Sequence, residues 1–259
     1  MKREREMSLN VVYKKLTQEY CKDIVELHSR SFNYEHISRT IYASPKIHSY
    51  LASLMTFPEF QHEHILFGGL HNNELVSYAY FRTLDDSFHL NNIAVSPSFQ
   101  GLGIGKAMME IFRTLAIDYD CSKLSLRVSG DNETAYNWYK RLGFEQKQKT
   151  YIYEQMLRHG ENDYVDGVEL YGWENAQAWH NSYGFSNFEV RNGNDCWKIM
   201  RLNDSYFRVN GYVPTIIRSV LNILDPRRKL LILSNSPLNG PRVKLLEIDY
   251  WMEANMDMD

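Results

Sequence analysis

The stretch "SPSFQGLGIGKAMME", residues 96 to 110, constrains the fold more than any other part of the chain. A strand-like apolar run, "LNNIAV", ends just before it and an amphipathic run, "AMMEIFRTLAIDYD", follows, so three glycines and a lysine mark a strand-to-helix junction. Glycine allows the main chain to turn through conformations that other residues avoid. Such a turn presents unpaired backbone N–H groups at the positive end of a helix dipole, which suits a phosphate or pyrophosphate. Two common phosphate loops are excluded by spacing. Lys106 stands where the dinucleotide fingerprint needs its third glycine, and Ala107 stands where a P-loop needs Ser or Thr after Gly105 and Lys106.

Composition limits what can surround this turn. With 259 residues, 44% of them hydrophobic and 24% charged, the chain can build a sizeable core as one large domain or two ordinary ones. Its 29 basic and 32 acidic residues leave a net charge of -3, which gives no reason to expect nucleic-acid or membrane-surface binding. Cys21, Cys121 and Cys196 are odd in number and far apart, so neither a disulfide framework nor a Cys-x-x-Cys metal site is indicated, and a reducing cytoplasm fits best. The charged start "MKREREMSLN" leads into no apolar stretch, and no window approaches the roughly 18 apolar residues of a membrane span.

The order of elements reads as mixed α/β up to about residue 158. "LNVVYKKL" is strand-like, and "TQEYCKDIVELHSRSF" opens on a capping Thr and places Ile24, Leu27 and Phe32 at helical spacing. A second helical region over residues 37 to 57 breaks near Pro45. The runs "HILFGGL", "ELVSYAYFRTL" and "SFHLNNIAV", separated by "HNN" and "DDS", predict an antiparallel meander. After the glycine turn and its helix come a strand "KLSLRVS", a helix "ETAYNWYKRLG" stopping at Gly143, and two strands, "FEQKQK" and "TYIYEQML".

In "NETAYNWYKRLGF", Asn132, Ala135, Tyr139, Gly143 and Phe144 form an N-x-x-A-x-x-x-Y-x-x-x-G-F pattern. Together with Gln100-x-x-Gly103-x-Gly105 and the strand before it, this resembles the GNAT superfamily of N-acetyltransferases over roughly residues 9 to 158. The resemblance implies an α/β fold with a mixed sheet, acetyl-CoA as co-substrate, no metal, and direct transfer of an acetyl group to a primary amine. It sets the backbone of Ile93, Ala94 and Val95 against the pantetheine arm, one N–H polarising the thioester carbonyl. Gln100 counts among the cofactor-binding residues, and the amides of Gly101, Leu102, Gly103, Ile104, Gly105 and Lys106 would wrap the pyrophosphate, glycine sparing the Cβ that would obstruct so close an approach. Asn132 matches the position that meets pantetheine, Ala135 is small where the cofactor passes the helix, and Tyr139 matches the tyrosine near the cofactor sulfur.

A phenol beside sulfur can protonate the departing thiolate, which makes Tyr139 the candidate general acid. For the base, His89 lies on the strand that feeds the cofactor segment, and alternation along that strand puts His89 and Asn91 on one face. Glu35, His36 and Asp86 are further ionisable candidates. The acceptor side falls on "SRSFNYEHISRTIYASPKIHSY", whose Phe32, Tyr34, His36, Arg39 and Tyr42 suit a small amine, an amino-acid derivative or a peptide end. An alternative reading is a catalytically weak acyl-CoA-binding sensor or regulatory module.

The catalytic domain is expected to span residues 1–158, with "RHGENDYVDG" as a polar linker into a smaller accessory domain, residues 159–259. There Asn175, Ala178, Gly184 and Phe185 echo Asn132, Ala135, Gly143 and Phe144, as in a degenerate GNAT-like half repeat. The echo lacks a counterpart of Tyr139 and has no glycine turn before it, so no second active site is expected. A structural module or a homodimer contact is. "YVPTIIRSVLNIL" reads as a helix, "KLLILSN" and "RVKLLEIDYW" as strands, and "MEANMDMD" as a loose acidic tail.

Overall fold

A computed structural model describes residues 10–157, 165–240 and 242–256. Strand β1 (Val12–Lys15) leads through helices α1 (Cys21–Ser31), α2 (Tyr34–Ser38), α3 (Ile47–Thr56) and α4 (Pro58–Gln61) to strands β2 (His64–His71), β3 (Glu74–Leu84) and β4 (Ser87–Val95). Helix α5 (Ile104–Asp118), β5 (Lys123–Ser129), α6 (Glu133–Arg141) and β6 (Glu145–Met156) follow. Beyond them come β7 (Val168–Tyr171), α7 (Trp173–Tyr183), β8 (Phe185–Asn192), β9 (Asp195–Leu202), β10 (Tyr206–Asn210), α8 (Thr215–Leu224), β11 (Lys229–Ser234) and β12 (Val243–Asn255). The chain divides into two compact units: the described residues of 1–33, 51–126 and 255–259, and those of 34–50 and 127–254.

In the first unit the strands run in the order β1-β2-β3-β4-β5, antiparallel except for β4 and β5. The meander follows from local chemistry. Asn72 and Asn73 hold φ of 51° and 66°, the left-handed pair of a two-residue hairpin turn, and asparagine tolerates that region better than most residues. Helix α5 buries Ile104, Met108, Met109, Phe112 and Ala116 along one face. Phe112 lies flat against Phe81, with centroids 5.2 Å apart, and Phe88 completes the aromatic cluster. Strand β4 runs parallel to β5 over Ser87–Leu90, against Lys123–Leu126. Across β3, Leu90 faces Phe81 and Asn92 faces Tyr80, so Asn91 is an extra, bulged residue.

The second unit has the order β12-β6-β11-β10-β9-β8-β7, with only β10 and β11 parallel. Residues 145–156 form one unbroken strand rather than the two expected, because β6 is held on both sides, by β11 and by β12. One sheet face carries a core of Phe188, Val190, Ile199, Phe207 and Leu230 under α7 and α8. On the other face Ile152, Phe185, Leu202, Tyr206 and Leu231 pack with Ile41 and Tyr50 from the segment 34–50. The end of the chain differs from expectation. Met252–Asn255 are strand residues of β12, and only 257–259 of the supposed acidic tail lie outside the described residues. Residues 158–164 of the expected linker also lie outside them.

The repeat is present, but connectivity aligns it differently. The run β7, α7, β8, β9, β10, α8, β11 reproduces β1, its following helices, β2, β3, β4, α5, β5, so α7 corresponds to the early helices and not to α6. The echo in sequence has a local cause instead. Gly143 and Gly184 each adopt positive φ (90° and 79°) at a helix end, followed by a buried phenylalanine, Phe144 and Phe185. The Asn residues do not correspond: Asn132 is the N-cap of α6, accepting from the Ala135 N–H at 3.1 Å, whereas Asn175 lies inside α7.

Candidate functional site

Between β4 and α5 the chain makes a short turn over Pro97–Phe99 and then reaches Gly101 and Gly103, at φ of 77° and 83°. A side chain is strained in that left-handed region. Nothing of the chain lies within 4 Å of a Cβ built on either glycine, so backbone conformation and not crowding by the chain calls for glycine here. Gly103 is the N-cap of α5, and the Ala107 N–H donates to its carbonyl at 3.0 Å. The amides of Ile104, Gly105 and Lys106 are therefore the first-turn donors that helix geometry leaves without an intrahelical acceptor. The Gln100 side-chain amide donates to the Val95 carbonyl at 3.1 Å, tying the turn to the end of β4. Leu102 and Lys106 face solvent, while Ile104 is buried and anchors the helix. Ile93, Ala94 and Val95 pair with Ala79, Tyr78 and Ser77 of β3 just past the bulge.

The bulge changes the reading of β4. The Asn91 side chain donates to that of Asn92 at 2.8 Å, a contact that regular alternation would place across the sheet, so a shared face for His89 and Asn91 does not follow from their spacing. His89 itself is buried, with Nδ1 3.0 Å from Ser125 Oγ on β5, and Ser125 in turn contacts Ser87 at 3.1 Å. Asp86 is exposed and paired with Lys123 at 2.7 Å. Its ion pair and hydrogen bond with Lys123 hold its pKa below the usual value.

Asn132, Ala135 and Tyr139 belong to the second unit, on one short helix. Tyr139 is buried between Trp138 and Phe144, with ring centroids 5.1 and 5.9 Å away. Burial pushes its pKa well above the ordinary phenol range, so the hydroxyl keeps its proton at neutral pH. Helix α6 ends as glycine permits: the Phe144 N–H reaches back to the Tyr139 carbonyl at 3.1 Å and the Gly143 N–H to Lys140 at 3.1 Å.

A second polar constellation, also within this unit, joins His36 and Arg39 to carboxylates that the sequence pattern did not single out. Arg39, just beyond α2, donates to Glu247 of β12 at 2.7 Å, and His36 of α2 is 3.4 Å from the same carboxylate. Burial alone would raise Glu247, but hydrogen bonds from His36, Ser129 and Arg39 overcome it and bring the pKa down to about 2. Two residues on, Asp249 is 7% exposed, its Oδ2 is 3.9 Å from Arg127, and its Oδ1 has no hydrogen-bond partner. Burial, and then the neighbouring Glu247, push Asp249 up to about 6. Arg127 also lines a cavity of about 280 Å³, together with Gln148, Thr150, Asn210, Gly211, Leu233 and Asn235. Of these groups only His36 and Arg39 were legible as acceptor-side candidates. The alternation Glu247-x-Asp249 on a strand was the available signal for the rest.

In the repeat, the parallel pair is closed. β10 and β11 stay in register to Asn210 and Leu233, and the Gly211 N–H donates to the Leu233 carbonyl at 2.7 Å. The link from β10 to α8 is short and carries one positive-φ glycine, Gly211.

A bulged strand, a double-glycine turn and an amphipathic helix in sequence are the arrangement of an α/β protein whose helix N-terminus suits an anionic group. Residues 21–144 match the acetyltransferase (GNAT) family, and the chain carries a domain of that family. No curated protein matches the chain in sequence. Among solved structures it is similar to a tandem GNAT protein from the clavulanic acid biosynthesis pathway, at 13% identity and TM-score 0.67 over 95% of this chain and 98% of that one. It is also similar to a GCN5-related N-acetyltransferase from Sphaerobacter thermophilus, at 9% identity and TM-score 0.62 over 95% of both chains. At such identities the likeness is one of fold, and the fold is a tandem GNAT architecture with a mixed α/β sheet. Among the described residues no helix is long and apolar enough to cross a membrane.

Proposed function

We propose that the chain is an acetyl-CoA-dependent N-acetyltransferase that moves an acetyl group directly to a primary amine of a small molecule or peptide in the cytoplasm. Residues 1–158 supply the catalytic domain and 159–259 the accessory one. The observation that carries this reading is the pair of left-handed glycines, Gly101 and Gly103, opening the amphipathic helix α5 shortly after the bulged strand β4.

In this reading the amides of Gln100 to Lys106 bind the pyrophosphate, the backbone of Ile93, Ala94 and Val95 receives the pantetheine arm, and one of those N–H groups stabilises the developing oxyanion. Asn132, whose side-chain oxygen caps α6, is proposed to meet pantetheine with its amide N–H groups, while Ala135 leaves room for the arm. The amine nitrogen attacks the thioester carbon, the C–S bond breaks, and the thiolate takes the Tyr139 proton while the amine proton passes to the base. Tyr139 suits the acid role because its phenol carries a proton at neutral pH and stands at the position of the tyrosine near the cofactor sulfur in the pattern that the chain resembles. His89 is the proposed base, its ring held by Ser125. No metal takes part in the proposed steps.

Calorimetric titration of acetyl-CoA into the full chain, followed by a thiol-release assay across an amine panel, tests the proposal. Binding with release on some amine is the expected result. Absence of acetyl-CoA binding would refute it.

A further inference from the structure

The cavity of about 280 Å³ that Arg127 lines lies within the second unit, to which every residue of its wall belongs. Strand register builds most of that wall. Asn210, the last residue of β10, pairs with Leu233 of β11, and Leu233 pairs with Ile152 of β6. Thr150 and Gln148 share the Ile152 face of β6 by alternation, and Asn235 comes just after the end of β11. Leu233 packs against the apolar core on this face and also lines the cavity, so the cavity marks where that core gives way to polar side chains.

Those polar side chains are uncommitted. Among the described residues, Gln148, Thr150, Asn210 and Asn235 make no side-chain hydrogen bond. Gln148, Asn210 and Asn235 are open to water, but Thr150 is only 5% exposed, and a hydroxyl so buried costs free energy unless the cavity brings it a partner. Arg127 is similar. Its nearest carboxylate oxygen, Asp249 Oδ2, is 3.9 Å away and beyond hydrogen-bond range, and the ring of Trp251 lies 5.9 Å from its guanidinium carbon. The planar fork of N–H donors is thus available to a ligand. Charge sets the sign of that ligand. No carboxylate lines the cavity, and burial and then the positive charge of Arg127 lower the pKa of Arg208, two residues before Asn210 on β10. Two guanidinium groups therefore share one neighbouring carboxylate, Asp249, and an anion would neutralise the excess. The volume lies just below the ~300–1,000 Å³ typical of ligand sites, which calls for a small molecule. Four neutral hydrogen-bonding side chains exceed what a bare anionic head needs, so the molecule also carries hydroxyl or amide groups.

We infer that this cavity binds a small hydroxyl- or amide-bearing anion, its carboxylate or phosphate on Arg127 and its neutral polar groups on Thr150, Gln148, Asn210 and Asn235. The site stands apart from the acyl-transfer reading and does not need it.

The test is calorimetry on the full chain, in buffer free of phosphate and sulfate, with glycerol 3-phosphate, glycerate, malate and uncharged glycerol. The expected result is that at least one of the three anions binds and that glycerol binds at least about tenfold more weakly. Preference for glycerol 3-phosphate over glycerate would make the ligand a phosphate ester, and the reverse would make it a carboxylate; either supports the site. Arg127→Gln should weaken the bound anion at least about tenfold, and Gln148→Ala, at an exposed position, about threefold. Asp249→Asn removes the carboxylate nearest Arg127 and should tighten binding about threefold, a gain that misfolding cannot produce. Failure of all three anions to bind the wild type would overturn the inference. So would binding indifferent to both Gln148→Ala and Asp249→Asn, or binding lost in Gly103→Ala, which would put the anion at the glycine turn instead.

Discussion

Replacing Asp249 with Asn is expected to stabilise the protein at neutral pH, although it removes a charged group from a polar cluster. The folded protein holds this carboxyl at about 6 against an ordinary 3.8, a shift of about two pH units at about 1.4 kcal/mol each. Keeping it ionised in the native state thus costs up to about 3 kcal/mol at pH 7 and above. Asn preserves the shape and removes the charge, so a gain of about 1–3 kcal/mol is expected, or roughly 2–4 °C in Tm for each kcal/mol. The direction with pH follows from the raised pKa. The native state binds a proton at pH values where the unfolded chain does not, so the wild type gains stability as pH falls from about 6 toward 3.8, and the variant's advantage fades over that window. Urea and thermal melts of both proteins from pH 4 to 8 measure this. A loss of stability at pH 8, or a gain independent of pH, would refute the reasoning, because neither can come from an uncompensated buried charge.

Glu247 should behave in the opposite sense. Glu247→Gln leaves Arg39 without its carboxylate and is expected to cost about 3 kcal/mol in urea melts at pH 7; the wild-type contribution, present above pH 4.5, should vanish as pH falls through about 2. The same substitution should also lower the Asp249 pKa, measurable by carboxyl NMR titration, since Glu247 is one of the groups that raises it. Gly103→Ala forces a side chain into φ of 83°, costing about 1 kcal/mol of stability and, by moving the helix-entry amides, at least about tenfold in coenzyme A affinity by calorimetry. Tyr139→Phe keeps the buried ring and removes the proton; kcat is expected to fall about 100-fold with coenzyme A affinity unchanged, and an unaltered pH–rate profile would refute the acid role.

Much of the fold was legible because its determinants are local. The strand-like runs "ELVSYAYFRTL" and "SFHLNNIAV" match β3 and β4 end to end, and paired asparagines specify the hairpin between β2 and β3. Gly101, Gly103 and Gly143 were readable for the same reason, each sitting at a positive φ that glycine alone adopts without strain. Asn91 shows where this stops. A bulge depends on the partner strand, and the period-two rule carries through it unbroken when only one strand is in view. The repeat shows it again: two helices ending in Gly-Phe share local capping chemistry, so Asn175 and Asn132 align in sequence while the elements that bear them hold different places in the topology.

By itself the sequence determined the turn, the helix it opens, the alternating strands and the tyrosine on α6, since propensity, periodicity and backbone conformation act over a few residues. Tertiary structure alone decided that β6 lies between β11 and β12, and with it that Arg39 meets Glu247 across 208 residues of chain and that Asp249 is buried with one carboxylate oxygen unpartnered. Strand pairing at long range depends on which edges are open once each segment has formed, and burial of a charge depends on everything packed around it. Neither is written in any one stretch of residues.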